Sequence, residues 1–147
     1  MLSIFNLCIS LKSTVIDGKT LAASWSSLAR VNIWDLDEPI RNVEQNKQLP
    51  KKVRREGYKA ISRTDPPIYT FNGHNVEGYG LDWSPTMPGV LASGDCSRNI
   101  HVWMPQDNGS SWKVDIRPLV GHTNSVEDLQ WSPNEQHVLA SCSVDKR

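Results

Sequence analysis

His74, Ser93, His122 and Ser141 are the residue types from which a nucleophile and its general base are built. In both pairs the serine follows the histidine by 19 residues. A catalytic dyad would account for one such pair but not for two, because the second is the first displaced by 48 residues. Gly73-His74 returns as Gly121-His122, and Leu81-Asp82-Trp83-Ser84-Pro85 returns as Leu129-Gln130-Trp131-Ser132-Pro133. Leu91-Ala92-Ser93 returns as Leu139-Ala140-Ser141. Residues that recur with a structural repeat belong to its scaffold, and repeated units are rarely catalytic dyads. No nucleophile elbow, phosphate loop or metal-spaced ligand set accompanies them. The chain is therefore expected to be non-enzymatic, with no catalytic residues, no metal and no cofactor.

A fixed period that opens on Gly-His and carries a late Trp is the pattern of a β-propeller blade. Such a blade is a small sheet that cannot bury its own faces and must stack on its neighbours. In the clearer copy, residues 79–83 alternate as a half-buried strand. Pro85 then ends the strand, because proline lacks the amide hydrogen a central ladder needs. Residues 90–94 and 100–103 read as the second and third strands around a polar turn, with a fourth over 112–116. The next copy has strands over 125–131 and 138–143 and reaches Asp145-Lys146-Arg147 without its Trp-bearing strand. A diverged blade has strands over 21–25 and 31–36, a turn at 26–30, and the dipeptide Trp34-Asp35. Alternation of Leu7, Ile9 and Leu11 adds a strand before it. The expected fold is all-β, a partial propeller. Its parts are a diverged partial blade at 1–36, a basic inter-blade insertion at 37–70, a blade at 71–120 and a truncated blade at 121–147.

Charge is balanced, 16 basic residues against 16 acidic, as in an ordinary globular protein without a strong field for a polyanion. Cys8, Cys96 and Cys142 are odd in number and lack metal-ligand spacing, so a reducing, intracellular setting is expected. Cys142 reads as a small buried hydrophobe. Six tryptophans against two phenylalanines make Trp the packing anchor, at Trp25, Trp34, Trp83, Trp103 and Trp131. Residues 1–11 are too short to span a membrane and are interrupted by Ser3, Asn6 and Ser10, unlike a secretory leader. Residues 47–63 carry Lys47, Lys51, Lys52, Arg54, Arg55, Lys59 and Arg63 against the single acid Glu56. The plain reading is a solvated surface run. Within it, Lys51, Lys52, Arg54 and Arg55 are nuclear-import candidates. No aromatic residue lies within 51–55, so direct nucleic-acid readout is not expected.

Three runs carry a family resemblance: Phe71-Asn72-Gly73-His74 through Trp83-Ser84-Pro85, Asn99-Ile100-His101-Val102-Trp103, and Val120-Gly121-His122-Thr123-Asn124-Ser125-Val126-Glu127-Asp128-Leu129-Gln130-Trp131. They resemble the glutamate-rich WD-repeat protein family, and less closely the retinoblastoma-associated histone-binding WD proteins. The resemblance covers roughly residues 21–147 and is specific from Tyr69 onward. It implies a seven-bladed propeller, of which this chain holds about two and a half blades. It also implies a nuclear and nucleolar scaffold or chaperone in ribosome biogenesis and chromatin assembly. The implied partners are histones or a basic ribosomal protein, bound through the propeller face, with no membrane involved. The alternative is a substrate receptor of a cullin-type ubiquitin ligase. Such receptors commonly show Trp-Asp followed two residues later by Arg, whereas Trp34-Asp35 is followed by Leu36-Asp37.

The resemblance also implies a buried hydrogen-bond chain of His, Ser, Asp and Trp in each blade. It falls on His74, Ser93 and Trp103 in one blade, and on His122, Ser141 and Asp145 in the next. Ser97 stands at the place of Asp145, which leaves open whether Asp95 substitutes. The histone-binding relatives hold a basic tail with a Glu, a Tyr and a Glu at blade entrances, and these match Glu77, Tyr79 and Glu127. Carboxylates accept charge-assisted bonds from Lys and Arg, and a Tyr face adds cation–π contact. On an extended strand, Glu77 and Tyr79 point to one side. Asp128 reads as a local turn or cap partner.

Overall fold

The computed structural model describes residues 8–47 and 66–147, and antiparallel sheets organise them. The first sheet joins β1 (Cys8–Ile16), β2 (Lys19–Ser26), β3 (Arg30–Asp35) and β4 (Tyr69–Phe71) in that order. The second joins β5 (Gly80–Trp83), β6 (Leu91–Gly94), β7 (Ile100–Gln106) and β8 (Ser111–Val114). The third pairs β9 (Val126–Trp131) with β10 (Leu139–Ser143). Within each sheet, neighbours in space are neighbours in sequence. The period thus produces what it implied, an all-β partial propeller.

The stretch 37–70 opens on a helix, α1 (Asp37–Lys47), whose first turn is acidic and last turn basic, as the helix dipole favours. Residues 48–65 lie outside the described residues. Tyr69 and Thr70 then pair with Ile33 and Asn32 as the outer strand of the first sheet. The expected inter-blade stretch therefore ends inside the first blade. Without β4, the outer edge of β3 would present unpaired amides.

The alternation expected of Leu7, Ile9 and Leu11 breaks at a bulge between Cys8 and Ser10. Ile9 packs on the core, while Leu11 faces the other way and is exposed. Leu7 lies outside the described residues. Cys142, expected to be buried, is exposed. Gly94 holds its place in the second blade, where Val126 and Leu129 cover the backbone. Among the described residues nothing comparable covers β10.

Blades stack through apolar faces. Trp25, Val31, Ile33 and Phe71 of the first sheet share a buried cluster with Leu81, Trp83, Leu91 and Trp103 of the second. Val90, Ala92 and Ile100 on the opposite face share another with Val126, Leu129 and Trp131 of the third. Burying each large apolar side chain stabilises by about 1.5–3 kcal/mol, but an indole N–H taken from water needs an acceptor. Trp25 Nε1 donates to Gly80 O at 2.9 Å, and Trp83 Nε1 donates to Lys12 O at 3.0 Å. Trp131 Nε1 donates to Asp82 O at 3.1 Å. All three bonds cross from one blade to another.

The buried Asp82 side chain adds a second link at the later interface. Its Oδ2 accepts Trp131 N at 2.8 Å and Gln130 Nε2 at 3.2 Å. Burial pushes the Asp82 carboxyl above its ordinary range, against the Trp131 amide and the Lys12 charge. Replacing Asp82 with Ala should cost about 1–3 kcal/mol in urea unfolding, because the Trp131 amide loses its acceptor. Asp82→Asn keeps an acceptor oxygen and should cost less. Equal losses in the two variants would assign the effect to shape rather than to the bond.

Candidate functional site

The His and Ser pairs are wired as scaffold. In the second blade, Trp103 Nε1 donates to Ser93 Oγ at 2.9 Å, and Ser93 Oγ lies 2.8 Å from His74 Nε2. His74 Nδ1 lies 2.8 Å from Asp95 Oδ2. A carboxylate only accepts, so Nδ1 carries the proton and Nε2 accepts from the serine hydroxyl. Every donor in the chain then has one acceptor. Ser93 is fully buried, so no substrate can reach its hydroxyl. In the third blade, His122 Nε2 lies 2.7 Å from Ser141 Oγ, and His122 Nδ1 lies 3.1 Å from Asp145 Oδ2.

The open question of the acceptor resolves on Asp95. It is set two residues earlier than Asp145 would be, yet it reaches the same imidazole nitrogen. Its Oδ1 also accepts Ser97 N and Asn99 N, each at 2.9 Å, so one carboxylate fixes the histidine and caps its own turn. Burial alone would raise the Asp95 carboxyl, but the bonds from His74 and Asn99 hold it below its ordinary value. Burial lowers His74, against the raising effect of Asp95. In the third blade the Thr123 amide leads the groups that hold Asp145 down to about 2.

Two parts of this wiring escaped the reading of the sequence. His101 is buried, with its Nδ1–H donating to Asp115 O at 2.8 Å and its ring edge-on to His74 at 4.8 Å. In the first blade Asn32 stands at its place, paired with Ser24 as His101 pairs with Ser93, so the repeat does not signal it. Trp34 Nε1 donates to Ser24 Oγ at 2.8 Å, which is half of the same chain in the first blade. The signal was present: Ser24 and Trp34 have the ten-residue spacing of Ser93 and Trp103.

The blade entrances form an exposed rim. Glu77, Tyr79 and Glu127 are all exposed, and neither carboxylate forms an ion pair among the described residues. Because β5 begins at Gly80, Glu77 and Tyr79 lie in the loop before the strand. The turn at 95–99 ties the two entrances together. Cys96 N donates to Glu77 O at 3.0 Å, and Val126 N, beside Glu127, donates to Asp95 O at 3.1 Å. Gly78 permits this approach: a Cβ there would overlap Gly94 O and meet Asp95 Cα and the Trp25 ring at 2.8 Å. Asp128 is a local partner, its Oδ1 accepting Leu129 N at 2.8 Å. Ser125 stands at Glu77's place one period on, and its buried hydroxyl has no partner among the described residues.

The nuclear-import candidates Lys51, Lys52, Arg54 and Arg55 lie outside the described residues. Among the described residues, no group of His, Cys, Asp and Glu could hold a metal ion. No helix among them is long and apolar enough to cross a membrane.

Residues 65–104 and 113–147 match the WD domain, G-beta repeat family. The chain is 39% identical over 138 residues to Protein HEAT STRESS TOLERANT DWD 1 of Arabidopsis thaliana, covering 94% of this chain and 28% of that protein. It is 39% identical to Glutamate-rich WD repeat-containing protein 1 of Dictyostelium discoideum, over 86% of this chain and 23% of the relative. It is 37% identical to the ribosome assembly protein rrb1 of Schizosaccharomyces pombe, over 86% of this chain and 24% of the relative. The chain thus spans about a quarter of the length of these relatives. Among solved structures, Sqt1 of Saccharomyces cerevisiae superposes with a TM-score of 0.66 at 13% identity. That match covers 96% of this chain and 30% of Sqt1, and it shows the fold.

Two outcomes follow from this geometry. Gly78→Ala should destabilise by about 1–3 kcal/mol, read by thermal or urea unfolding, since backbone atoms must move to admit the methyl. An unfolded chain protonates its histidines near 6.5, above the folded value of His74. The stability from neutral His74 is therefore full above pH 6.5 and is lost as pH falls through the folded value, with a limiting slope of about 1.4 kcal/mol per pH unit. Urea titrations from pH 8 to pH 5 check this, and His74→Gln should remove that share of the slope.

Proposed function

We propose that this chain, which belongs to the WD domain, G-beta repeat family, is part of a non-enzymatic scaffold or chaperone whose rim holds a basic segment of a ribosomal protein or a histone. One observation carries the reading. Two carboxylates on adjacent blades, Glu77 and Glu127, are exposed, unpaired among the described residues and tied to a single turn, with Tyr79 beside them. Such carboxylates form their strongest bonds with cationic donors, so Lys and Arg side chains are the ligands the rim favours. Tyr79, 44% exposed, offers its ring face to the same cations. The names of two relatives support the setting: one is a ribosome assembly protein, another a glutamate-rich WD-repeat protein. Such a role places the protein in the nucleus and nucleolus, with Lys51, Lys52, Arg54 and Arg55 as the import signal. Chromatin assembly would draw on the same rim through histone tails.

Affinity capture of histones and of basic ribosomal proteins tests the rim directly. The Glu77→Ala/Glu127→Ala double variant should lose capture by about tenfold or more, and the loss should shrink at high salt. Capture unchanged from wild type would remove these residues from the site.

A further inference from the structure

We infer that the rim takes a basic segment that also carries an anionic side chain, and that Arg98 meets the anion. This deepens the rim reading above and rests on it. Arg98 lies in the 95–99 turn, which is bonded on one side to Glu77 O and on the other to Val126 N. Its side chain is exposed and pairs with no carboxylate among the described residues, although the turn is bonded to Glu77 O and to the amide of Val126, the neighbour of Glu127. Opposite charges held in adjoining segments, and left unneutralised by each other, are available to a partner.

The position is also conformationally unfavourable for an arginine. Arg98 has φ 75°, and its amide closes the turn on Asp95 O at 3.2 Å. Left-handed backbone is unfavourable for a residue with a side chain, and glycine is the natural occupant. The same device recurs one period on. Lys146 has φ 68°, closes on Ser143 O at 3.1 Å and is exposed. The turn before it is tied to Ser125 O through Val144 N at 3.1 Å. In that entrance the residue bonded to the turn is Ser125, and the carboxylate, Glu127, stands two positions on in β9.

A uniformly basic ligand would meet like charge at Arg98 and Lys146. A segment with Lys or Arg for Glu77 and Glu127, and a carboxylate or phosphate between them, satisfies both sets. The guanidinium fork of Arg98 suits either anion through paired N–H bonds.

Three peptides of one basic sequence, with a central Ser, Asp or phosphoserine, distinguish the possibilities by fluorescence anisotropy on the full chain. Wild type should bind the Asp and phosphoserine peptides about fivefold or more tighter than the Ser peptide. Phosphoserine tighter than Asp assigns a phosphate, and equal binding of the two assigns charge alone. Arg98→Gln should bring the three within about twofold by weakening the Asp and phosphoserine peptides, with the Ser peptide bound no more weakly than by wild type. Arg98→Gly should do the same with a higher Tm, since it removes the charge and relieves the backbone together. The Glu77→Gln/Glu127→Gln variant should weaken all three. Equal binding of the three peptides to wild type, with the glutamate variant still weakened, overturns the anion reading alone. Failure of every peptide to bind overturns the rim reading as well.

Discussion

A buried indole must donate its N–H, and in this chain three such groups find their acceptor on another blade. Trp25, Trp83 and Trp131 each reach a backbone carbonyl across a blade interface. An indole stranded without that carbonyl would lose about 1–3 kcal/mol of hydrogen bonding inside an apolar cluster. The requirement is therefore stricter than apolar contact. It fixes how far apart the inner strands stand and which carbonyl faces which ring. Asp82 tightens the later interface with a carboxylate that its neighbours, rather than solvent, must satisfy.

This constraint separates what is structural from what is free to bind. His74, Ser93, Asp95 and Trp103 meet the polar demands of the interior, and each has its partner there. Within three residues of His74 comes Glu77, and within three of Asp95 comes Arg98, both exposed. The turn needs nothing from these two side chains, because Asp95 already caps it and the amide of Cys96 already holds Glu77's carbonyl. Side chains with no structural duty at a rigidly held place are what a binding surface requires.

The period made the blades legible, since every blade must reuse the side chains that stack it: Trp83 and Trp131, His74 and His122, Ser93 and Ser141. Features outside the period were not legible. Asp95 reaches the imidazole from a place two residues off register, which letters alone do not decide. Asp82 gives way to Gln130 in the next copy, so its link leaves no repeated mark. Tyr69–Phe71 is too short to read as a strand without the edge of β3 that it pairs. Ile9 turns inward through a bulge that alternation does not foresee. Glu77, Tyr79 and Glu127 came from resemblance, and the fold adds their exposure and the turn that joins them.

That turn also makes the rim a mechanical element. Glu77's carbonyl holds the amide of Cys96, Asp95's carbonyl holds the amide of Val126, and the Asp95 side chain holds His74. A pull applied by a bound tail at Glu77 passes into the turn and divides between the second and third blades. A long, fluctuating partner tugging on one carboxylate would thus be resisted by two sheets at once, and the stiffness of the grip would exceed that of either blade alone.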